Sequence, residues 1–186
     1  MPLAQTPLRT FRLTLEPTRP EHADGLWQAV RSSLDDLKPW LTWANDTDHS
    51  STRDFTIAAE RAWMADASWS FSIVFTDEMA GTVSLDKHDR MLKSANVGYW
   101  LRSDLAGRGL MTEAVSAIVD FAFEIVGLHR LELHAAPGNT GSTRVAEKIG
   151  FSRRGVLRDA SRGAGGWHDV YVYDLLESDA RKQFHR

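Results

Sequence analysis

Two short segments of this 186-residue chain carry residue types and spacings that can do chemistry. The first is Gly107-Arg108-Gly109-Leu110-Met111-Thr112, directly behind an apolar run that ends in Trp100-Leu101-Arg102. Glycines let the backbone approach a ligand closely. A helix beginning just after them offers unpaired N–H groups with partial positive charge. Together these make a phosphate cradle, to which Arg108 adds charge. The two commonest cradles are excluded. A Walker loop needs Gly-Lys-Ser/Thr where Leu110 and Met111 follow Gly109, and a dinucleotide fingerprint needs a third small residue at Thr112. A plain glycine loop capping a helix is the competing reading.

The second segment is Asn139-Thr-Gly-Ser142, between Pro137-Gly138 and Gly150-Phe151. Asn139 is placed to cap a helix, Ser142 falls in its first turn, and Gly150 stops it. That bland role accounts for each residue singly. One helix and one strand after a phosphate cradle, Asn139 and Ser142 are also candidate active-site groups. His88, within Asp86-Lys87-His88-Asp89, is a candidate general base because neighbouring carboxylates raise an imidazole pKa; a surface turn explains the cluster equally well. His134, opposite the Leu133 face of its strand, reads as packing under a helix. Trp40 and Trp43, in the turn Pro39-Trp40-Leu41-Thr42-Trp43, either line an acceptor groove or latch two helices together. The seven histidines are scattered without metal-site spacing, so no metal is expected.

Elements must position these groups. Phe11, Leu13 and Leu15 alternate as a first strand. Thr18-Arg19-Pro20-Glu21 has capping-box form before a helix with Ala23, Leu26, Trp27, Val30 and Leu34 at helical spacing. A second helix is predicted near 52–66, with Phe55, Ala58, Ala59, Ala62 and Trp63 on one face. Strands are predicted at Trp69–Phe75, Gly81–Leu85 and Asn96–Leu101, the last with Val97, Tyr99 and Leu101 on one face, with turn-like segments at 76–79 and 86–94. Then come a helix near 110–125, a strand at 131–135, a helix at 139–150, and strands at 151–157 and 167–175. The order β-α-α-β-β-β-α-β-α-β-β predicts an α/β (α+β) fold with a mixed, mostly antiparallel sheet flanked by helices, rather than a doubly wound one. One domain is expected over residues 8–186.

Composition narrows the classes. At 42% hydrophobic and 25% charged the chain is in the globular range, and a net charge of −3 argues against a dedicated nucleic-acid binder. Cysteine is absent, which removes disulfides, Cys-ligated zinc and a cysteine thioester intermediate. Met1-Pro2-Leu3-Ala4-Gln5 shows no signal-peptide pattern, and no run approaches the ~18–20 apolar residues of a membrane span. A cytoplasmic protein with no membrane partner is expected.

The Val97–Leu101 strand, the Gly107-Arg108-Gly109 loop, and Asn139-x-x-Ser142 followed by Val145-Ala146-Glu147-Lys148-Ile149-Gly150-Phe151 resemble the GNAT superfamily of acetyl-CoA-dependent N-acetyltransferases. The resemblance is greatest to its RimJ/RimL branch, which acetylates ribosomal-protein N-termini. It extends to the opening strand and helix, Gly81-Thr82-Val83 and Asp169-x-Tyr171, nearly the whole chain. It implies a GNAT-type sheet that splays at the strand ending in Trp100-Leu101, where a pantetheine arm pairs with free backbone. It further implies that the amides of Gly107, Arg108, Gly109, Leu110, Met111 and Thr112 hold the pyrophosphate, and that Arg102 lies beside them. Asn139 would contact the pantetheine, Ser142 the thioester sulfur, and Arg144 or Lys148 the 3′-phosphate. Two positions depart from the family pattern. Asp104 stands where Gln or Arg is usual, and Asn96 stands where many relatives carry a glutamate base; Asn96 can position a water or substrate but cannot take a proton.

The chemistry so implied is direct attack of an amine on the acetyl thioester in a ternary complex. Backbone N–H groups near Trp100 and Leu101 would polarise the carbonyl, and Ser142 would protonate the thiolate. An α-amine, with a reference pKa of ~7.7–8.0 against ~10.4 for lysine, needs less help to become neutral. A protein N-terminus is therefore the expected acceptor. The alternatives are a small amine (polyamine, aminoglycoside, amino acid or peptide antibiotic) or a weakly catalytic CoA-binding sensor. A homodimer is left open.

Overall fold

The computed structural model describes residues 3–184. The expected domain's last two residues, His185 and Arg186, and Met1-Pro2 of the leader reading lie outside the described residues. Eight strands form one sheet in the order β1-β2-β3-β4-β5-β6-β8-β7. They are β1 (Leu8–Arg9), β2 (Thr14–Pro17), β3 (Trp69–Phe75), β4 (Glu78–Asp89), β5 (Ser94–Leu101), β6 (Arg130–Ala135), β7 (Ser152–Gly163) and β8 (Gly166–Leu176). All neighbours are antiparallel except β5 and β6. The helices are α1 (Ala23–Arg31), α2 (Leu34–Leu37), α3 (His49–Met64), α4 (Leu110–Asp120), α5 (Thr140–Ile149) and α6 (Glu177–Phe184).

Alternation along the central strands sorts side chains between two layers. Val83, Leu85, Val97, Leu131 and Leu133 point to the face covered by α4, where they meet Leu110, Val115 and Ile118 in the main core. Trp63 of α3 joins this core through edge-on contact with Phe71, their centroids 5.0 Å apart. The other face carries α1 and α2, with a smaller cluster of Leu26, Ala29, Val30, Leu37, Ala44 and Trp100.

Several local expectations are corrected. The first strand is broken: Phe11 is 96% exposed in a bend between β1 and β2, because Thr10 bonds back to Leu13. Thr18 does not cap the first helix. It is buried with its Oγ1 3.1 Å from Ser72 Oγ, and the His22 ring accepts from the Arg19 N–H instead. Asp48 caps α3, whose buried face is Thr52, Thr56, Ala59 and Trp63, while Phe55 is exposed. Strand β4 runs on through Asp86–Asp89 by an irregular register rather than turning there. Strands β7 and β8 extend into a long hairpin, and β1, α2 and α6 are additional elements. The predicted 110–125 helix is α-helical to Asp120 and then widens into a π turn over Phe121–Val126.

Candidate active site

The parallel pairing of β5 with β6 stops at Val97↔Leu133. Beyond it, Gly98–Leu101 remain bonded to β4, while His134 and Ala135 remain bonded to β8. The two strands thus fork, leaving the inner edge of β5 with backbone groups that no strand satisfies. A strand edge of this kind accepts an extended ligand by backbone pairing. Trp100 and Leu101 lie on this stretch of β5.

The fork leads into the glycine loop. Ser103–Leu105 form a single 3₁₀ turn, and Gly109 caps α4 at φ +75°, a left-handed conformation that disfavours side chains. Gly107 has φ +75° too, and nothing lies within 4 Å of where its Cβ would be. Both glycines are exposed in front of the first amides of α4, so open space, bare backbone and a helix N-terminus coincide. These features fit a phosphate-bearing ligand. Leu110 and Met111 are buried as anchors of α4 and offer only their backbone. A cleft on the outer side of the cradle is lined by Gly109, Thr112, Ser116 and Lys148, which puts the Lys148 ammonium within reach of the same ligand. Arg144 is exposed on α5.

The cradle is braced by residues the motif did not reveal. Glu113 accepts from Thr10 Oγ1 (2.5 Å), from the Arg12 backbone (2.7 Å) and from Arg12 Nε (2.7 Å). Arg12 also donates to the Arg108 carbonyl at 2.9 Å, tying the β1–β2 bend to the loop. Arg102 is a correction. Its guanidinium is held by Asp104 (2.7 Å) and Glu78 (2.8 Å), which push its pKa up, and its backbone N–H and carbonyl are bonded to Ala80 and Leu105. The same pair lowers the Asp104 pKa and neutralises the charge that Asp104 would otherwise add to the cradle.

Across the fork stands α5. Asn139 Oδ1 accepts from the Ser142 N–H at 3.0 Å, which is the predicted cap. Ser142 Oγ lies 2.8 Å from the hydroxyl of Tyr99, on β5. Burial, partly offset by the bond to Ser142, pushes the Tyr99 pKa up to about 12, so it stays a neutral hydroxyl. Tyr99 was placed by alternation on the Val97 face, but only the docking of α5 shows that it meets Ser142.

His88 is not brought to this site. It lies on β4 beyond the Asp86↔Asn96 pair, toward the end of the sheet away from the fork. Its Nδ1 is 3.0 Å from the Asp66 carbonyl, and its ring packs 4.8 Å from Trp69. The irregular register after Asp86 carries it there. His134 is not tucked under a helix either; it is partly exposed beside Glu132 at 3.3 Å.

The turn between α2 and α3 spans the fork's mouth on the α1 side. Trp43 packs edge-on against Trp100 at 6.0 Å, and the Trp40 ring abuts Gly138 in the loop before α5. The tip of the β7–β8 hairpin holds this turn, with Ala164 N donating to the Lys38 carbonyl (3.0 Å) and Thr42 Oγ1 to the Arg162 carbonyl (2.6 Å). Asn96 lies on the same side, its Oδ1 buried without a partner. Among the described residues no group of acidic and histidine side chains is arranged to hold a metal ion, and no helix is long and apolar enough to cross a membrane.

Comparison with known proteins agrees with this geometry. Residues 12–152 match the family model described as an acetyltransferase (GNAT) domain. YdaF of Bacillus subtilis (strain 168) is 30% identical over 169 residues, 90% of this chain and 92% of that protein. The ribosomal-protein-serine acetyltransferase of Escherichia coli (strain K12) is 25% identical over 165 residues, 87% of this chain and 90% of its own. In fold, a solved RimL, the ribosomal L7/L12 alpha-N-protein acetyltransferase in complex with coenzyme A, superposes with a TM-score of 0.88 at 24% identity, covering 94% of this chain and 99% of that one. The family model spans more than half of the chain, and the chain belongs to the GNAT acetyltransferase family.

Proposed function

We propose that the protein transfers an acetyl group from acetyl-CoA to the N-terminal α-amine of a protein, of the ribosomal-protein type. One observation carries the choice of acceptor. The aromatic turn borders the fork on the α1 side, with Trp43 at 43% exposure against Trp100 and Trp40 against Gly138. Aromatic rims on an open groove suit an extended peptide end, which presents apolar and backbone groups together. Likeness over 87% of the chain to a ribosomal-protein-serine acetyltransferase supports the same acceptor class.

Acetyl-CoA supplies an activated acetyl thioester. Toward it, the β5 edge at Gly98–Leu101 offers backbone pairing, Gly107–Thr112 their amides, and Lys148 and Arg144 charge for the 3′-phosphate. Ser142, its amide fixed by Asn139 and its hydroxyl shared with Tyr99, gives a proton to the departing sulfur. Holding both reactants in one groove removes much of the entropic barrier of a bimolecular step. Residues 8–186 act as one acetyltransferase unit in a cytoplasmic setting.

A small cationic amine is the second reading, favoured by the carboxylates of Asp86 and Glu132 on the acceptor face. The test is release of free CoA from acetyl-CoA with purified protein and two acceptor sets, N-terminal peptides and an amine panel. Peptides are expected to accept with the higher kcat/KM. Turnover of polyamines or aminoglycosides alone overturns the peptide assignment, and no turnover with either set overturns both.

A further inference from the structure

The site as built lacks a proton acceptor on the side from which the amine enters. Asn96 cannot serve, and His88 lies away from the fork. Alternation supplies another group. On β4, Ser84 and Asp86 point opposite to the core residues Val83 and Leu85, toward the α1 side. Asp86 is the cross-strand partner of Asn96, and Ser84 that of Gly98, the first β5 residue past the last pair with β6. The Asp86 carboxylate leans over that neighbour. A Cβ on Gly98 would lie 3.0 Å from Asp86 Oδ2, a tight contact, so the carboxylate sits close against the Gly98 backbone.

The other acids on this face are engaged. Glu132 is paired with Arg130 and His134, Asp174 with Arg154 and Arg130, and Glu16 with His22. Asp86 instead accepts from the neutral Ser84 hydroxyl at 2.7 Å. Beside it, Asn96 Oδ1 is a buried acceptor with no donor. A buried acceptor without a donor is costly, and one beside a carboxylate calls for a group rich in N–H.

We propose that Asp86 takes the proton from the acceptor ammonium at the floor of the fork, while Asn96 orients the amine. This rests on the acetyl-transfer reading above. The ammonium gives one proton to the Asp86 carboxylate, which passes it to solvent, and the freed electron pair attacks the acetyl carbon. The C–N bond forms, the second proton leaves nitrogen, and the C–S bond breaks with its electron pair going to sulfur. Sulfur takes the proton of the Ser142 hydroxyl, and the second proton from nitrogen restores that hydroxyl through solvent, so one proton ends on CoA and one in water. Base and acid occupy opposite faces of the sheet, Asp86 with Asn96 on one and Ser142 with Tyr99 on the other, and the thioester enters between them.

Burial raises the Asp86 pKa against the opposing effects of Ser84 and Lys87, which strengthens it as a base. The other titratable groups facing this side are His22 and Glu16 beyond Ser72, Glu132, Arg130 and His134 on β6, and Asp174 on β8 with its partner Arg154.

The experiment compares Asp86→Asn, Asp86→Glu and His134→Ala with wild type, using whichever amine the wild-type enzyme acetylates. A non-peptide acceptor therefore refutes the peptide assignment without touching this test. Each variant's fold is checked by circular dichroism and its acetyl-CoA binding by thermal shift. Asp86→Asn is expected to bind acetyl-CoA normally yet lose roughly 10²-fold in kcat/KM at neutral pH. Its deficit should narrow as pH rises and the amine loses its own proton, and Asp86→Glu should recover part of the rate. A folded Asp86→Asn with the wild-type pH–rate profile overturns the proposal. So does a loss of the acid-side limb in His134→Ala that Asp86→Asn does not share.

Discussion

The Tyr99 hydroxyl and Ser142 Oγ lie 2.8 Å apart, joining β5 to α5 across the opening of the sheet. The contact makes one proton-donating unit from residues far apart in the chain. Because burial holds the Tyr99 pKa near 12, the unit stays protonated throughout the range in which an α-amine becomes neutral. Ser142→Ala should lower kcat by roughly 10–100-fold with little change in acetyl-CoA affinity, since water replaces part of a lost hydroxyl. Tyr99→Phe should cost less, and the double variant should fall short of the product of the two. Steady-state kinetics on all three, with acetyl-CoA titrations, checks this; full multiplicativity would show that the hydroxyls act independently.

Asn139 serves the fold and the site through a single bond, because the N–H it caps belongs to Ser142. Asn139→Ala should therefore lose on the order of 1 kcal/mol of stability and also lower turnover in the folded fraction. Asn139→Asp keeps the cap and should keep the stability. Chemical denaturation and initial rates on both variants separate the two roles, and an alanine variant with wild-type turnover would reduce Asn139 to a helix cap.

Acetyl-CoA should raise Tm, because a ligand of the folded state stabilises it by mass action. Gly109→Glu should abolish that shift by placing a carboxylate in the cradle. Gly109→Ala should keep much of it, while costing about 1–2 kcal/mol from the left-handed backbone at φ +75°. Thermal melts with and without ligand distinguish strain from blockage.

Glu113 makes the brace pH-sensitive. Its partial burial pulls the pKa up, but bonds from Thr10 and from the Arg12 backbone and side chain outweigh it, and the net shift is downward. A folded pKa below the unfolded one contributes stability above the unfolded value, ~4.3, that is lost as pH falls through the folded value. Glu113→Gln should thus be less stable by about 1 kcal/mol at neutral pH, a modest figure because Arg12 is 37% exposed. Variant and wild type should converge as pH falls through the lowered folded-state pKa of Glu113. Urea midpoints across pH test the convergence.

The locally encoded parts of the protein were legible in its sequence. A double glycine before an apolar helix and an Asn three residues before a Ser are read by backbone conformation and capping within one turn, so the cradle and the α5 cap stand where the residues predict. Alternation likewise placed Tyr99 with Val97, because side-chain direction in a strand is set residue by residue. What the tertiary structure decided is which of these groups meet. The end of β5–β6 pairing at Val97↔Leu133 depends on which neighbours β4 and β8 hold on either side, which no local pattern states. The register of β4 sent Asp86 toward the fork and His88 away from it, although the two share one polar run of sequence. Arg102 was taken out of the cradle by Glu78, a residue from another strand. Such outcomes turn on pairings over long chain separations. Sequence limits the chemistry each residue can do, and packing selects the partner with which it does it.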